Sequence, residues 1–178
     1  MGSKLARAIA GLCVAAVAAT ATQAQQAQST NRVAAKTDWS VFVEDNPTEC
    51  WGVSGPRESV NTRDGRVVAV RRSDILLFVF IRPANGSKGQ IAFTGGYPFA
   101  PNSSVKMDIA GTTFELFTEG EWAWPVSPAE DSKIIAAMKR GAEATLTARS
   151  KRGTQTRDTF SLSGFTAALE EATKRCKG

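Results

Sequence analysis

The chain has 178 residues, a formal charge of +5 and no histidine. Its length suits one domain, and 42% hydrophobic against 22% charged residues sustains a packed core. The missing histidine excludes Ser-His-Asp and Cys-His triads, His-ligated zinc or haem, and an unperturbed imidazole pH switch.

Residues 1–24 read as a secretory signal peptide. Lys4 and Arg7 form its basic start, 8–19 its apolar run, and Ala19-Thr20-Ala21 or Thr22-Gln23-Ala24 its cleavage site. The run is about a dozen residues, short of the roughly 20 a membrane span needs. Cys13 follows Leu12 inside that run, so it lacks the setting of a lipid-attachment cysteine. Cleavage removes two cations and no acid, which lowers the charge to +3. The expected location is the periplasm or beyond it, with no transmembrane segment in the mature chain. Residues 25–37 are polar and aperiodic and are expected to be a flexible lead-in, with the folded domain over 38–178.

Trp39, Val41 and Val43 alternate with Ser40 and Phe42, as in a half-buried strand. A second strand runs through Cys50, Trp51 and Val53 to Gly55-Pro56. Asp64-Gly65 marks a hairpin between 58–62 and 66–71. The unbroken run from Ile75 to Ile81 predicts a strand buried on both faces. After a turn at 83–89 come a short strand, 90–94, and a Gly/Pro loop, 95–104. Residues 105–109 and 113–118 form a second hairpin. Ser127-Pro128-Ala129-Glu130 is a capping box that opens a helix ending near Gly141. Residues 144–149 and 154–162 form a third hairpin around Lys151-Arg152-Gly153. Phe165, Ala168, Leu169 and Ala172 then line one face of a terminal helix. The fold class is mainly β with minor α: an antiparallel β-sandwich or half-barrel with one mid-chain and one C-terminal helix.

Cys50 and Cys176 are the two cysteines left after export. An even count in an oxidising compartment argues for a disulfide, against a free redox pair or a metal site. Closing so long a loop is worth about 4–5 kcal/mol in the chain-entropy model.

Catalytic signatures are sparse. Gly52-Val53-Ser54-Gly55-Pro56 has proline where a nucleophile elbow needs glycine. Nucleotide-binding and zinc-protease motifs are missing from the sequence. Ser132-Lys133, Ser150-Lys151, Glu119/Glu121 and Glu130/Asp131 read as surface, turn or cap residues. Asn85-Gly86-Ser87 and Asn102-Ser103-Ser104 read as turns. No catalytic, cofactor-binding or metal-binding residue is assigned, and no cofactor is expected.

Two groups point to binding. Tyr97, Phe99, Trp122 and Trp124 are a candidate surface for a peptide, glycan or lipid. Trp122 and Trp124 share a face if their segment is a strand, and burial in the core is the commoner placement for such residues. Arg149, Lys151, Arg152 and Arg157 form a candidate basic hairpin that could meet an anionic lipid or another polyanion. Arg63, Arg66, Arg71 and Arg72 surround the first hairpin. Asp64, Asp74 and Asp158 are interleaved with these cations, so a mixed-charge solvated surface is the default reading.

Several blocks together resemble a known family. They are Asp38-Trp39-Ser40-Val41, Glu49-Cys50-Trp51, Asn61 to Arg72, Phe93 to Phe99, Phe114 to Phe117, Glu121 to Pro125, Met138 to Gly141 and Asp158 to Leu162. Over about residues 38–176 the chain resembles the invasion-associated locus B (IalB) family of exported bacterial proteins. That resemblance implies a small β-rich envelope or secreted protein of Gram-negative bacteria, with Cys50 and Cys176 at disulfide-like positions. It supplies no catalytic residues. The expected function is an envelope binding protein whose partner is a protein, glycan or anionic lipid rather than nucleic acid. The alternatives are a secreted factor contacting host cells, or a glycan-acting enzyme using carboxylates or a Ser-Lys pair.

Overall fold

The computed structural model describes residues 31–46 and 48–177. The signal segment 1–24, with Cys13, and residues 25–30 of the lead-in lie outside the described residues. Strands follow in chain order as β1 (Arg32–Lys36), β2 (Trp39–Asp45), β3 (Thr48–Ser54), β4 (Glu58–Arg63), β5 (Arg66–Val67), β6 (Leu76–Arg82) and β7 (Ser87–Thr94). After them come β8 (Ser104–Ile109), β9 (Thr112–Glu119) and β10 (Trp122–Trp124), then α1 (Pro128–Met138), β11 (Glu143–Arg149), β12 (Gln155–Ser161) and α2 (Phe165–Arg175). β1 is an addition to the expected domain. Its residues pair with β2, so the described fold includes Arg32–Lys36 as well as the expected domain from Asp38.

The architecture is the antiparallel β-rich one the alternation pattern implies. Twelve strands form one open sheet in the order β1-β2-β3-β6-β7-β10-β9-β8-β11-β12-β4-β5. That sheet curls strongly. Phe93 on β7 and Phe160 on β12 lie five strand spacings apart, about 24 Å if the sheet were flat. Their ring centroids are 6.0 Å apart. Trp39 on β2 donates its indole N–H to the carbonyl of Ser161 on β12 at 3.0 Å, across eight spacings of the order. The Asp38 N–H also bonds to the Ser163 carbonyl at 3.3 Å, so the two ends of the curl meet through side-chain contacts and single bonds and not through a strand ladder.

The inner face holds the main core, with Trp39, Val41, Leu77, Val79, Ile91, Phe93, Met107, Leu116, Leu146 and Phe160 among its buried residues. Both helices feed this core. Ile134 and Met138 of α1 are buried in it, as are Phe165, Ala168, Leu169 and Ala172 of α2. Gly52 makes room for α2, because a Cβ there would lie 3.1 Å from Val79 and 3.5 Å from Ala168. The Cys50–Cys176 disulfide then ties β3 to the end of α2.

Local signals act as expected at α1. Ser127 accepts the Glu130 N–H at 3.3 Å, and Pro128 occupies the first turn. The second half of the capping box is absent, since the Glu130 carboxylate instead pairs with Lys133 at 2.6 Å. Asp131 docks the helix. It is buried, and its Oδ1 accepts the Ile91 N–H at 2.7 Å. β10 pairs with β7 only at Phe93 and Thr94, so Ile91 lies beyond its reach and the helix carboxylate supplies the acceptor. Burial raises the Asp131 pKa, and the Ile91 bond opposes that rise.

Candidate functional site

The candidate aromatic residues divide between two faces. Phe99 is buried in the main core, where it contacts Phe93. Tyr97 is half-buried and packs edge-on against Phe99. Trp122 and Trp124 flank Ala123, which is fully buried on the inner face, so strand alternation sends both indoles outward. That outcome corrects the default placement of both tryptophans in the core. It also separates them from Tyr97 and Phe99, so the four do not form one surface.

On the outer face the two tryptophans join a larger aromatic row. Phe42 on β2 stacks on Trp51 of β3 at 5.6 Å, and Trp51 contacts Phe80 of β6 at 6.3 Å. Phe80 stacks on Phe78 at 5.1 Å, Phe78 meets Trp122 of β10 at 5.6 Å, and Trp122 stacks on Trp124 at 5.5 Å. Strand register explains the row, since Phe42, Trp51 and Phe80 stand opposite one another in successive ladders. β7 lies between β6 and β10, and its fully buried Ala92 leaves the gap that Trp122 bridges. The buried residues of both helices belong to the inner core, so neither helix covers this row. Trp122 is 37% exposed and Phe117, opposite Trp124, is 44% exposed. Arg82 sits 4.1 Å above the Phe80 ring and pairs with Glu49 at 2.7 Å. Glu44 and Glu119 are exposed at opposite ends of the row.

The candidate basic hairpin also divides. Arg149 and Arg157 point outward, because Ala148, Thr156 and Asp158 take the inward positions of β11 and β12. Lys151 and Arg152, at the hairpin tip, line a cavity of about 610 Å³ together with Tyr97, Arg63, Arg71 and Arg72. The pairing of β12 with β4 thus brings members of the two basic groups of the sequence to one place.

Arg72 and Asp158 differ from their expected surface roles. Arg72 donates to both Asp158 carboxylate oxygens, at 2.7 and 2.6 Å, and to the Gly95 carbonyl at 2.8 Å. Ser59 donates to the same carboxylate at 2.8 Å. Both charged side chains are buried, at 5% and 0% exposure. The predicted strand 66–71 ends at Val67, and the Ser73 N–H bonds to the Gly96 carbonyl at 3.0 Å. Only glycine fits at 96, where φ is +70° and a Cβ would lie 2.5 Å from the Ser73 carbonyl oxygen. Arg72 also lies 5.0 Å from the Tyr97 ring centroid, and the Tyr97 and Thr156 hydroxyls share a hydrogen bond. Burial raises the Tyr97 pKa, while Thr156 and Arg72 pull it back. A signal for this pair was present in the sequence. Asp158 has the same strand parity as Phe160, and an inward carboxylate requires a buried cation.

Of the residues considered for catalysis, Ser132, Lys133, Glu130 and Ser150 make local bonds, while Ser150, Lys151 and Glu121 line the cavity beside Tyr97. Ser132 donates to the Pro128 carbonyl at 2.9 Å while Lys133 pairs with Glu130. Ser150 accepts the Thr154 N–H at 3.1 Å inside its turn. Among the described residues no group of three His, Cys, Asp or Glu side chains is placed to hold a metal ion.

The family model for the invasion associated locus B (IalB) protein matches residues 79–173, from β6 into α2. The chain belongs to the IalB family. No curated protein and no solved structure shows significant similarity to it. The IalB match covers β7 to β12, and with them Trp122, Trp124 and the third hairpin. Phe42 and Trp51 of the aromatic row lie before the matched region, as do Arg63, Arg71 and Arg72.

Proposed function

We propose that this IalB protein is exported and acts as a non-catalytic binding protein of the bacterial envelope, docking a protein partner on its aromatic outer face. The observation that carries this reading is the row of six rings from Phe42 to Trp124 with Trp122 open to solvent. The row is packed at its centre, with Phe78 9% and Phe80 7% exposed, and open at Trp122 and Phe117; an open aromatic edge on a sheet face that no helix covers marks an interaction surface. Three ring pairs already stack on each other, which favours partner side chains packing between them over a sugar ring lying on each face. Exposed Glu44 and Glu119 at the two ends suit a partner whose apolar patch has basic flanks. The basic and apolar order of residues 1–24 supports export, and the Cys50–Cys176 bridge fits an oxidising compartment. No helix among the described residues is long and apolar enough to cross a membrane.

Site-specific photo-crosslinking in intact cells tests the reading. A photoreactive phenylalanine in place of Trp122 is expected to capture a discrete envelope protein, and the same probe in place of Arg157 is not. Phe42→Ser is expected to abolish the capture. Capture of lipid, of glycan or of a second copy of this chain would overturn the protein-partner reading, as would equal capture from both positions. Fractionation before crosslinking checks export, and recovery in the cytoplasm refutes it.

A further inference from the structure

The cavity beside Tyr97 has a chemistry unlike that of the aromatic face. Arg63, Arg71, Arg72, Lys151 and Arg152 line it, against a single acidic residue, Glu121. Asp158 cancels Arg72. Arg63 donates to the neutral Thr154 hydroxyl at 2.8 Å. Arg63, Arg71, Lys151 and Arg152 have no ion pair among the described residues. With Glu121 counted against them, the cavity holds three uncompensated positive charges. Its walls are not random surface. Gly96 clamps the segment that carries Arg71 and Arg72, and the Lys151 N–H bonds to the Pro98 carbonyl at 2.9 Å. Tyr97 is fixed by Thr156, and Ala69, Val70 and Pro98 add apolar wall.

We infer that this cavity binds a phosphorylated sugar carrying at least two negative charges. Guanidinium forks match phosphate oxygens in pairs, and three of the four cations without an ion pair are arginine. A phosphate monoester carries up to two charges near neutral pH, so one such group offsets most of the net charge of three and two balance it. Apolar wall beside Tyr97 suits the carbon face of a sugar better than free solvent does. A volume of about 610 Å³ accommodates a ligand of that size. The inference stands on observations separate from the aromatic face and fails or succeeds independently of it.

Calorimetric titration of the purified mature protein with glucose bisphosphate, with glucose as the neutral control, tests it. Binding of the bisphosphate alone, weakening with added salt, is expected. Arg71→Ala, Lys151→Ala and Arg152→Ala are each expected to weaken binding about tenfold, the scale of one lost charge-assisted contact. Glu121→Gln is expected to tighten it. Trp122→Ala, on the other face, is expected to leave it unchanged. None of the four cavity substitutions removes an ion pair seen in the fold, and unchanged thermal melting confirms that each variant is folded. Flotation with phosphatidylcholine vesicles, with and without lipid A, separates the two sources of the ligand. Co-flotation only with lipid A identifies a membrane-held phosphosugar, and tight soluble binding without co-flotation identifies a free one. Absence of binding in both assays, or binding indifferent to the cation substitutions, would overturn the inference.

Discussion

Replacing both Cys50 and Cys176 by alanine removes the one covalent crosslink described in the fold. The bridge spans 126 residues, and the chain-entropy relation assigns such a loop about 5 kcal/mol at 25 °C. A domain of this size has a total stability of about 5–15 kcal/mol, so the loss takes a third of it or more. Alanine leaves little void in place of Cys50, and most of the effect therefore lies in the freed unfolded chain. Urea unfolding of the oxidised protein, the reduced protein and the double variant measures the loss. The reduced protein and the double variant are expected to coincide, about 5 kcal/mol below the oxidised form. Their urea dependence is expected to steepen, because an uncrosslinked chain exposes more surface on unfolding. The end of α2 is expected to lose amide protection first, since its last turn is held to β3 by Cys176. A loss below about 1 kcal/mol would refute the entropic account. Two titratable thiols in the native protein would refute the bridge itself.

Two further perturbations test the polar links inside the curl. Arg72→Ala strands the Asp158 carboxylate at 0% exposure and is expected to cost about 3–5 kcal/mol in urea unfolding. Adding Asp158→Asn to that variant should recover part of the loss, whereas Arg72→Lys alone should not match wild type, because an ammonium cannot reproduce the fork to Asp158 and Gly95. Asp131→Asn keeps an acceptor for the Ile91 N–H and cannot ionise. Since the folded Asp131 pKa lies above its ordinary 3.8, the folded state holds that proton more tightly, and the group's stability contribution is full below 3.8 and is lost as pH rises through the folded value. The asparagine variant should therefore gain on wild type in urea midpoints as pH rises above the ordinary 3.8, and a difference independent of pH would contradict the assignment.

The elements were largely legible because their signals are local. Ser127 and Pro128 announce α1, Asp64-Gly65 announces the β4–β5 hairpin, and the apolar face of α2 is the set of residues its spacing picks out. The double-sided burial of β6 follows from its unbroken apolar run. Site residues were harder to read. Trp122 and Trp124 were correctly paired on one face, but the direction of that face depends on Ala123 pointing to the core. Phe42, Trp51, Phe78 and Phe80 carried no sign of a shared row, because their alignment needs the register of β2, β3 and β6. Lys151 and Arg152 were found, yet Arg63 and Arg71, which line the same cavity, lie 80 to 89 residues away in the chain.

By itself the sequence determined the antiparallel hairpins and the two helices, and it pointed to Cys50 and Cys176 as a pair. These rest on spacing, caps and turn residues within a few positions of one another. Only the tertiary structure decided which way the faces point and what meets across the curl. Strand order in the sheet is set by packing between distant segments, so β12 reaches Trp39, Asp158 receives Arg72, and two separate basic stretches close on one cavity. A charge of +5 spread over 178 residues says little about a ligand, whereas a net charge of three gathered around Tyr97 is what the phosphosugar inference rests on.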